Sequence, residues 1–286
     1  LNTSNCLFLI IPTPTTDDIF DISYLKNSIQ EISIRLKKLN KKVILTVTST
    51  VNPGDCEEIY DTYLKNEPIS MVYSPEFIAL GSVLKDMLHP EVVLLGSDDD
   101  YAIDRVFSIY SKLYESHPEY HRLSLVEAEI AKIAINTFVT TKISFANMIG
   151  TLVEKKTNSR SSAQKVLNAI GGDTRIGRKY FKYGTSYGGP CFPRDNRALA
   201  AHLKSENVVS SIATATDETN EYILQSWIER ITSNNYDAII LIGVAYKSGT
   251  DFLEESFMIK IGTHFLDKID VFYSDPLCVL NNLVRI

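Results

Sequence analysis

The chain has 286 residues, a formal net charge of −6, and the hydrophobic and charged fractions of an ordinary globular protein. This length is sufficient for two domains with buried cores. An acidic chain has no excess of cations with which to displace the counterions of phosphates, so we expect no binding to nucleic acid. The apolar stretches are only as long as strands, so no membrane-spanning helix is expected. The first residues lack the pattern of a secretory leader, and the four cysteines show no C-x-x-C spacing, so we expect reduced thiols and a cytoplasmic protein.

The first 121 residues predict strands that alternate with helices. Continuous apolar runs, typical of strands buried on both faces, predict strands over residues 6–11, 43–47, 71–73 and 92–95. Periodic apolar positions predict helices over 24–39, 54–63 and 101–114. This order is typical of an α/β fold, here a partial Rossmann-type parallel sheet.

The pattern changes to helices between residues 122 and 232. Ser124 and Glu127 form a capping box, after which a helical pattern continues to about Lys156. A helix of this length exceeds what a small domain needs, so we expect a spine between domains or a subunit interface. Shorter helices are predicted over residues 162–170, 194–204 and 211–231.

Residues 233–286 begin a second strand–helix–strand unit, with strands over 237–243 and 271–273 and a helix over 255–266. The sequence therefore predicts three regions, 1–121, 122–232 and 233–286. We interpret them as the remainder of a Rossmann domain, a central helical domain and the start of a second Rossmann-like domain.

The segment 188–195 carries the strongest chemical signal in the sequence. Gly188 and Gly189 allow a ligand to approach the backbone closely, and Pro193 is suited to the start of a helix. Cys191 would then precede a helix N-terminus, where the helix dipole favours the thiolate. The alternative is an inert cysteine in a tight turn, which is the commoner role of a single cysteine.

Other polar residues lie at positions where they could take part in catalysis. Lys132 and Asn136 share one helix face and could stabilise an oxyanion, or they could belong to a solvated face. Glu76 and Thr50 each follow a predicted strand, at the end where α/β sheets bind ligands. Glu76 could be a general base or a carboxylate at a helix start, and Thr50 could belong to a simple helix cap. The histidines have no metal-ligand spacing, so no metal site is expected.

Several short motifs follow one another in a fixed order along nearly the whole chain. They are Pro-Thr-Pro at 12–14, Ser-Thr-Val-Asn-Pro-Gly at 49–54, Ser-Pro-Glu-Phe at 74–77, Ala-Glu at 128–129 followed by Lys132 and Asn136, Lys-Ile-Ser-Phe-Ala-Asn at 142–147, Asp-Thr-Arg-Ile-Gly at 173–177, the segment 188–195, Gly-Val-Ala-Tyr-Lys at 243–247 and Tyr-Ser-Asp-Pro at 273–276. In this order they resemble the UDP-glucose/GDP-mannose dehydrogenase family. No single motif is decisive, but their combination is specific.

The resemblance implies an NAD-dependent oxidation of a UDP-hexose at C6 to the uronic acid, through two hydride transfers. UDP-glucose is the first choice of substrate, and UDP-N-acetylhexosamines remain open. Cys191 would attack the intermediate aldehyde, and a second oxidation would give a thioester. Further catalytic roles fall to four residues or pairs: Lys132 and Asn136 (oxyanions), Asp195 (proton transfer), Glu76 (thioester hydrolysis) and Thr50 (a bound water).

The resemblance also implies binding residues and a partner. Contacts to the sugar nucleotide are expected from Phe77, Tyr180, Lys182, Tyr187, Gly188 and Lys247. Arg175 would reach the substrate of a partner subunit, in a homodimer formed through the 124–156 helix. Thr13, Thr50 and Arg194 would lie near the NAD.

The chain departs from the family pattern at three places. Ala79-Leu80-Gly81 replaces a common Arg-Glu-Gly, and Glu254 stands where a cation near the NAD phosphates is usual. The sequence also has no G-x-G-x-x-G, and it begins near the family's fourth strand and ends inside the C-terminal domain. We therefore expect residues 1–286 alone to lack NAD turnover, and the 6–11 strand to have an exposed edge.

Two rival interpretations remain open at this stage. A 2-hydroxyacid or 6-phosphogluconate-type dehydrogenase also joins a Rossmann domain to a helical spine, but it needs no catalytic cysteine. A non-catalytic remnant that only binds a sugar nucleotide or dimerises would explain the absent glycine motif. It would not explain why Cys191, Lys132, Asn136, Asp195 and Glu76 are all present.

Overall fold

A computed structural model describes residues 4–39, 41–281 and 284–285. The chain divides into two compact units, Leu1–Ala134 and Ile135–Ile286, which we call the N-terminal and C-terminal units. Each unit contains a sheet whose strands are connected by helices, as the α/β pattern of the sequence predicts.

The N-terminal unit follows the alternating order of strands and helices. Its elements are β1 (Cys6–Leu9), β2 (Thr15–Thr16), β3 (Ile19–Phe20), α1 (Ser23–Leu39), β4 (Val43–Val47), α2 (Asp55–Ile59) continued by a π-helix (Tyr60–Leu64), β5 (Ile69–Tyr73), α3 (Val83–Leu88), β6 (Val92–Gly96), α4 (Asp100–Tyr110), β7 (Glu119–Leu123) and the beginning of α5 (Leu125–Thr157). The division between the two units falls within α5.

Five of these strands form one sheet in the order β1-β4-β5-β6-β7. The pairs β1–β4, β4–β5 and β6–β7 are parallel, whereas β5 meets β6 antiparallel at the single pair Tyr73 and Gly96. All five residues of β4 are buried, which agrees with a strand covered on both faces. Among the described strands β1 pairs only with β4, so it lies at one end of the sheet order.

The core of this unit lies between the sheet and α4. Ile44, Val72 and Leu95 of three neighbouring strands pack with Ala102 and Val106 of α4, and all five side chains are buried. Burial of each of the larger side chains among them, those of valine, leucine and isoleucine, stabilises the fold by about 1.5–3 kcal/mol. The packing fixes the strands, and hence the loops that follow them.

The capping box at the start of α5 is confirmed. The Ser124 backbone N–H donates to the Glu127 carboxylate at 2.8 Å, and the Glu127 N–H donates to Ser124 Oγ at 3.3 Å. The preceding strand β7 was not predicted. It forms a sheet edge with partly exposed side chains, so its sequence Glu-Tyr-His-Arg-Leu contains no apolar run.

The C-terminal unit contains the remainder of α5 and a second sheet. Its other elements are α6 (Arg160–Ile170), α7 (Phe192–Ser205), α8 (Ser211–Ser233), β8 (Ala238–Ile242), α9 (Phe257–Phe265), β9 (Asp270–Ser274) and β10 (Val284–Arg285). The three strands are parallel in the order β10-β9-β8, and α8 and α9 share a core with β8 and β9. In the described ranges, no helix has both the length and the apolarity needed to cross a membrane.

Gly96 lets β6 approach the start of α5. A Cβ atom on Gly96 would lie 2.6 Å from the Ser124 carbonyl oxygen and 2.8 Å from the Ala128 Cβ. The first of these atoms belongs to the backbone, so it cannot rotate away. The glycine therefore sets the distance between strand and helix.

We expect Gly96→Ala to destabilise the chain by about 1–3 kcal/mol, because the backbone must move to accept the methyl group. Chemical denaturation followed by circular dichroism measures this difference. Asp98→Ala, an exposed substitution two residues away, is the control and should change the free energy of unfolding by less than about 0.5 kcal/mol. Equal stability of the two variants would contradict the assignment.

Candidate functional site

In the N-terminal unit, the segments that follow β1 and β4 are bonded to each other. Ser49 Oγ accepts from the Ile11 N–H at 2.8 Å and donates to the Ile11 carbonyl at 2.6 Å. The Thr13 hydroxyl donates to the Thr50 carbonyl at 2.7 Å. The parallel strands β1 and β4 end at the same edge of the sheet, where ligands bind in this fold class. Thr13 and Thr50, both predicted site residues, are thus brought together.

A second contact joins α5 to the segment that follows β5. The Lys132 ammonium donates to the Glu76 carbonyl and lies 4.4 Å from the centroid of the Phe77 ring. The Lys132 side chain is buried, so both contacts replace water around its charge. Three of the predicted site residues, Glu76, Phe77 and Lys132, are therefore in contact.

The Glu76 carboxyl group has a partner that the sequence did not indicate. Burial raises the pKa of Glu76, while a hydrogen bond from Tyr110 and the charge of Lys132 act in the opposite direction. Burial also raises the pKa of Tyr110 to about 12, so the phenol stays protonated and can donate. A carboxyl group with a raised pKa is suited to accept and return a proton.

Glu129 is buried in the same unit and was recognised in the sequence only as part of a motif. Its Oε2 accepts from the Gly54 N–H at 2.6 Å, and its Oε1 accepts from the Cys56 N–H at 2.8 Å. These N–H groups belong to the start of α2, where the backbone donors of a helix have no partners inside the helix. Glu129 and the Pro-Gly helix start lie 75 positions apart in the chain, so no local sequence pattern links them. Only the fold brings the two together.

In the C-terminal unit, Cys191 is the N-cap residue of α7 and is exposed. Its carbonyl accepts from the Asp195 N–H at 2.8 Å, which closes the first turn of the helix. Pro193 is the second residue of α7, one position later than predicted. The thiol therefore lies at the positive end of a helix dipole.

The two glycines before Cys191 pack against the segment 246–255. A Cβ on Gly188 would lie 2.1 Å from the Glu255 carbonyl oxygen. Gly189 has φ +84° and donates its N–H to the Glu254 carbonyl at 3.1 Å, and a Cβ there would lie 2.5 Å from the Tyr246 ring. Side chains at either position would displace the loop that carries Cys191.

Asp195, one turn after Cys191, is fully buried and joins two other predicted residues. Its Oδ2 accepts from Asn136 Nδ2 at 2.6 Å, and its Oδ1 accepts from Arg194 Nε at 3.0 Å and lies 3.0 Å from Arg194 Nη2. A carboxylate that is buried requires such donors, because its hydration is lost. Asn136, Arg194 and Asp195 therefore form one network.

The predicted substrate-binding residues differ in their surroundings. Tyr180 is exposed and its ring lies edge-on to Phe192, at a centroid distance of 6.0 Å. Lys182 and Lys247 are exposed. Arg175 is exposed and forms a bidentate pair with Asp173, with Nε–Oδ1 and Nη2–Oδ2 distances of 3.0 and 2.7 Å. These groups can still change their contacts when a ligand binds.

Tyr187 is buried, in contrast to the other predicted contacts. The side chain of Asn220 holds its backbone from both sides, accepting from the Tyr187 N–H at 2.8 Å and donating to the Tyr187 carbonyl at 3.0 Å. The Tyr187 hydroxyl donates to Asp217 at 3.4 Å. Asn220 thus supports the loop before Gly188, and sequence reasoning missed it because the two residues are distant in the chain.

The sequence matches two domain models of one known family. Residues 1–114 match the model of the UDP-glucose/GDP-mannose dehydrogenase family, NAD binding domain, and residues 126–222 match the central domain of the same family. The two ranges together cover well over half of the chain. The chain belongs to the UDP-glucose/GDP-mannose dehydrogenase family. The match to the NAD binding domain identifies NAD as the cofactor.

Individual relatives cover the chain almost completely. A UDP-glucose 6-dehydrogenase of Rickettsia bellii is 31% identical over 94% of this chain and 62% of its own length. The structure of a UDP-glucose dehydrogenase from Pyrobaculum islandicum is similar with a TM-score of 0.89, at 25% identity over 99% of this chain and 68% of that one. A UDP-D-ManNAc dehydrogenase from Pyrococcus horikoshii has a TM-score of 0.81 at 21% identity over 97% and 67% of the two chains, which supports the fold alone. The chain thus spans somewhat less than two thirds of the Rickettsia relative.

The four thiols should differ sharply in reactivity. Burial raises the pKa of Cys6, Cys56 and Cys278, whereas Cys191 is exposed at a helix N-terminus. We expect iodoacetamide to alkylate Cys191 at least about tenfold faster than the other three at pH 8. Peptide mass spectrometry of timed samples measures the four rates.

The matched control is Cys191→Ser, which should leave only slow alkylation. Faster modification of Cys6 or Cys278 than of Cys191 in the unsubstituted chain would contradict the assignment of Cys191 as the accessible thiol.

Proposed function

We propose that the full protein oxidises the C6 alcohol of a UDP-hexose, with UDP-glucose as first choice, to a carboxylate in an NAD-dependent reaction. One observation carries the proposal: the exposed Cys191 at the start of α7, one turn before the buried Asp195, which is bonded to Asn136 and Arg194. The name of the Rickettsia bellii relative supports the choice of substrate.

The residues at the ends of β1 and β4 fit an NAD site. Thr13 and Thr50 are small polar residues in the segments that follow these strands, and the hydrogen bond from the Thr13 hydroxyl to the Thr50 carbonyl fixes the two segments. We assign Thr13, Thr50 and also Arg194 to cofactor binding. When bound, NAD supplies the acceptor for each hydride that leaves C6.

Cys191 serves the second half of the oxidation. The thiolate adds to the carbon of the aldehyde formed first, which gives a thiohemiacetal with a negative oxygen. Loss of the second hydride from this carbon gives a thioester, and water then releases the acid and the thiolate. The conversion of an alcohol into an acid thus removes four electrons in two steps, each of which needs its own hydride acceptor.

Lys132 and Asn136 are assigned to the negative oxygens. Asp195 accepts one N–H of the Asn136 amide, which leaves the other N–H of the same amide group to donate elsewhere. Donors that are already held in place stabilise a developing charge without reorganisation. Asp195 thereby orients Asn136, and we also assign it to proton transfer.

Glu76 and Thr50 are assigned to the hydrolysis of the thioester. Burial of Glu76 raises its pKa, so this carboxylate is a stronger base than one in water. Thr50 is only partly buried and would hold the attacking water.

The remaining assignments concern the substrate and the regions of the chain. Phe77, Tyr180, Lys182, Tyr187, Gly188 and Lys247 contact the sugar nucleotide. Tyr187 does so through the position of its loop, since its own ring is buried. We assign residues 1–121 to NAD, 122–232 to substrate and dimerisation, and 233–286 to the UDP-sugar.

Replacement of Cys191 by serine should reduce four-electron oxidation by at least about a thousandfold, the scale of losing a covalent catalyst. The full protein is incubated with NAD and UDP-glucose, or with UDP-N-acetylhexosamines, and both NADH and the uronic acid are measured. Near-normal formation of acid by this variant would refute the cysteine mechanism.

Cys6→Ser is the matched control, since it exchanges the same atoms at a residue far from α7 in sequence. It should retain activity within about threefold. Circular dichroism of both variants distinguishes a lost nucleophile from a lost fold.

The exposed face of α5 supports a homodimer. Phe138, Phe145 and Leu152 follow one another at intervals of seven residues, and Met148 lies beside them. Their exposed fractions are 67%, 45%, 54% and 50%. Seven is the repeat of helices that pack along their length, so we propose that α5 packs on its copy and that Arg175 reaches the partner's substrate.

The double substitution Phe138→Glu and Phe145→Glu should convert the dimer into a monomer, because four charges would be brought into an apolar contact. Light scattering of the full protein measures the mass. Lys156→Glu, an exposed change at the end of α5, is the control and should leave the dimer intact. An unsubstituted protein that is monomeric at micromolar concentration would contradict the interface.

A further inference from the structure

The carboxylate of Glu129 connects the segment after β4 to α5. Glu129 Oε2 and Oε1 accept separately from the N–H groups of Gly54 and Cys56, at 2.6 and 2.8 Å. The side chain has no exposed surface. Two charge-assisted hydrogen bonds to a buried carboxylate are strong and directional, so they define where the backbone of this segment lies.

The same turn of α5 holds a second loop. Lys132, three residues after Glu129, donates to the carbonyl of Glu76. Residues three apart lie on one face of a helix. The first turns of α5 are therefore attached to the segment after β4 through Glu129 and to the segment after β5 through Lys132.

We infer that Glu129 is a positioning residue: it holds the segment 49–54, and with it Thr50, at a fixed position relative to Lys132. The inference rests on the proposed function for the roles of Thr50 and Lys132. The hydrogen bonds of the Glu129 carboxylate in the described part of the chain go to the N–H groups of Gly54 and Cys56 and to the Cys56 thiol, so we assign it an action through the loop and not on the substrate.

Other contacts explain why loss of Glu129 should move the loop without unfolding it. The Asn52 side chain accepts from the Phe20 N–H at 3.1 Å and donates to the Phe20 carbonyl at 3.0 Å. The Thr13 hydroxyl donates to the carbonyl of Thr50. These bonds do not involve α5. Without Glu129 the segment would remain attached to the β2–β3 hairpin, but its position relative to α5 would no longer be fixed.

The ionisation of Glu129 sets the conditions for the test. Burial raises the pKa of Glu129 to about 7, the Cys56 thiol and the two backbone N–H groups oppose this shift, and the charge of Asp55 adds to it. Cys56 remains a thiol, since burial and the nearby Glu129 charge raise its pKa. At pH 8.5 the carboxylate is ionised and both N–H groups have an acceptor.

Hydrogen exchange of the 286-residue chain at pH 8.5 tests the inference without any activity. In Glu129→Gln the amide oxygen can accept from one backbone N–H. The amide nitrogen is itself a donor, so the other backbone N–H loses its acceptor. We expect peptides that cover residues 49–58 to exchange at least about tenfold faster, and Cys56 to alkylate faster, with β5 unchanged. Unchanged exchange over 49–58 would overturn the inference.

Two further variants separate positioning from general stability. Glu127→Gln is the matched control on the same helix, where glutamine still serves the capping box, and it should leave 49–58 protected. Glu129→Asp keeps a shorter carboxylate and should restore part of the protection. Exchange that rises equally along the whole N-terminal unit in both Glu129 variants would show a merely structural role and overturn the inference.

Kinetics of the full protein complete the test. Glu129→Gln should reduce kcat at least about tenfold and leave KM for the UDP-sugar within about threefold. The reason is that the rate of the chemical step, and not the binding of the UDP-sugar, depends on the relative position of Thr50 and Lys132. An equal kcat would overturn the inference. An unsubstituted protein that does not oxidise UDP-sugars, while the exchange result holds, would refute the proposed function and leave the loop attachment standing.

Discussion

The buried charge of Asp195 is the constraint on which the surroundings of Cys191 depend. A carboxylate removed from water costs several kcal/mol unless donors replace its hydration. Here the donors come from two helices, Asn136 on α5 and Arg194 on α7. A rotation or shift of α7 along α5 would separate the Asp195 carboxylate from the Asn136 amide, since only Arg194 moves together with Asp195. Because Cys191 is the N-cap of α7, this requirement also determines where the thiol lies.

The N-terminal unit uses the same physical solution for a different purpose. Glu129 is also a fully buried carboxylate on α5, but its donors are backbone N–H groups of a loop and a helix start. Side-chain donors fix one helix against another, whereas backbone donors fix the path of the chain itself. In each unit, then, a buried acid defines the position of a segment that carries a proposed catalytic residue.

The sequence predicted features whose signals are local. The strands β4 and β8 were predicted because each is an apolar run. The capping box of Ser124 and Glu127 was predicted because it is complete within four residues. The strand β7 was missed because it is polar and lies at an edge. The alternation of strands and helices and the family motifs were enough to predict the α/β class.

Contacts between distant parts of the chain could not be predicted in this way. The bonds of Tyr110 to Glu76, Asn220 to Tyr187 and Glu129 to Gly54 join residues more than thirty positions apart. Each depends on the packing of whole elements, and no pattern within one element encodes it. Motif recognition could name Glu129 and Tyr187, but their burial and their partners required the fold.

The departure from the family pattern at Glu254 illustrates which changes such a site tolerates. The contact between this segment and the cysteine loop is made by the Glu254 carbonyl, which accepts from the Gly189 N–H, and by the Glu255 carbonyl beside Gly188. Backbone atoms are the same for every residue type, so an acid in place of a cation leaves this packing intact. The Glu254 side chain is exposed, and its substitution therefore alters the charge at the surface and not the path of the loop that carries Cys191. The glycines cannot vary in the same way, because their packing excludes any side chain.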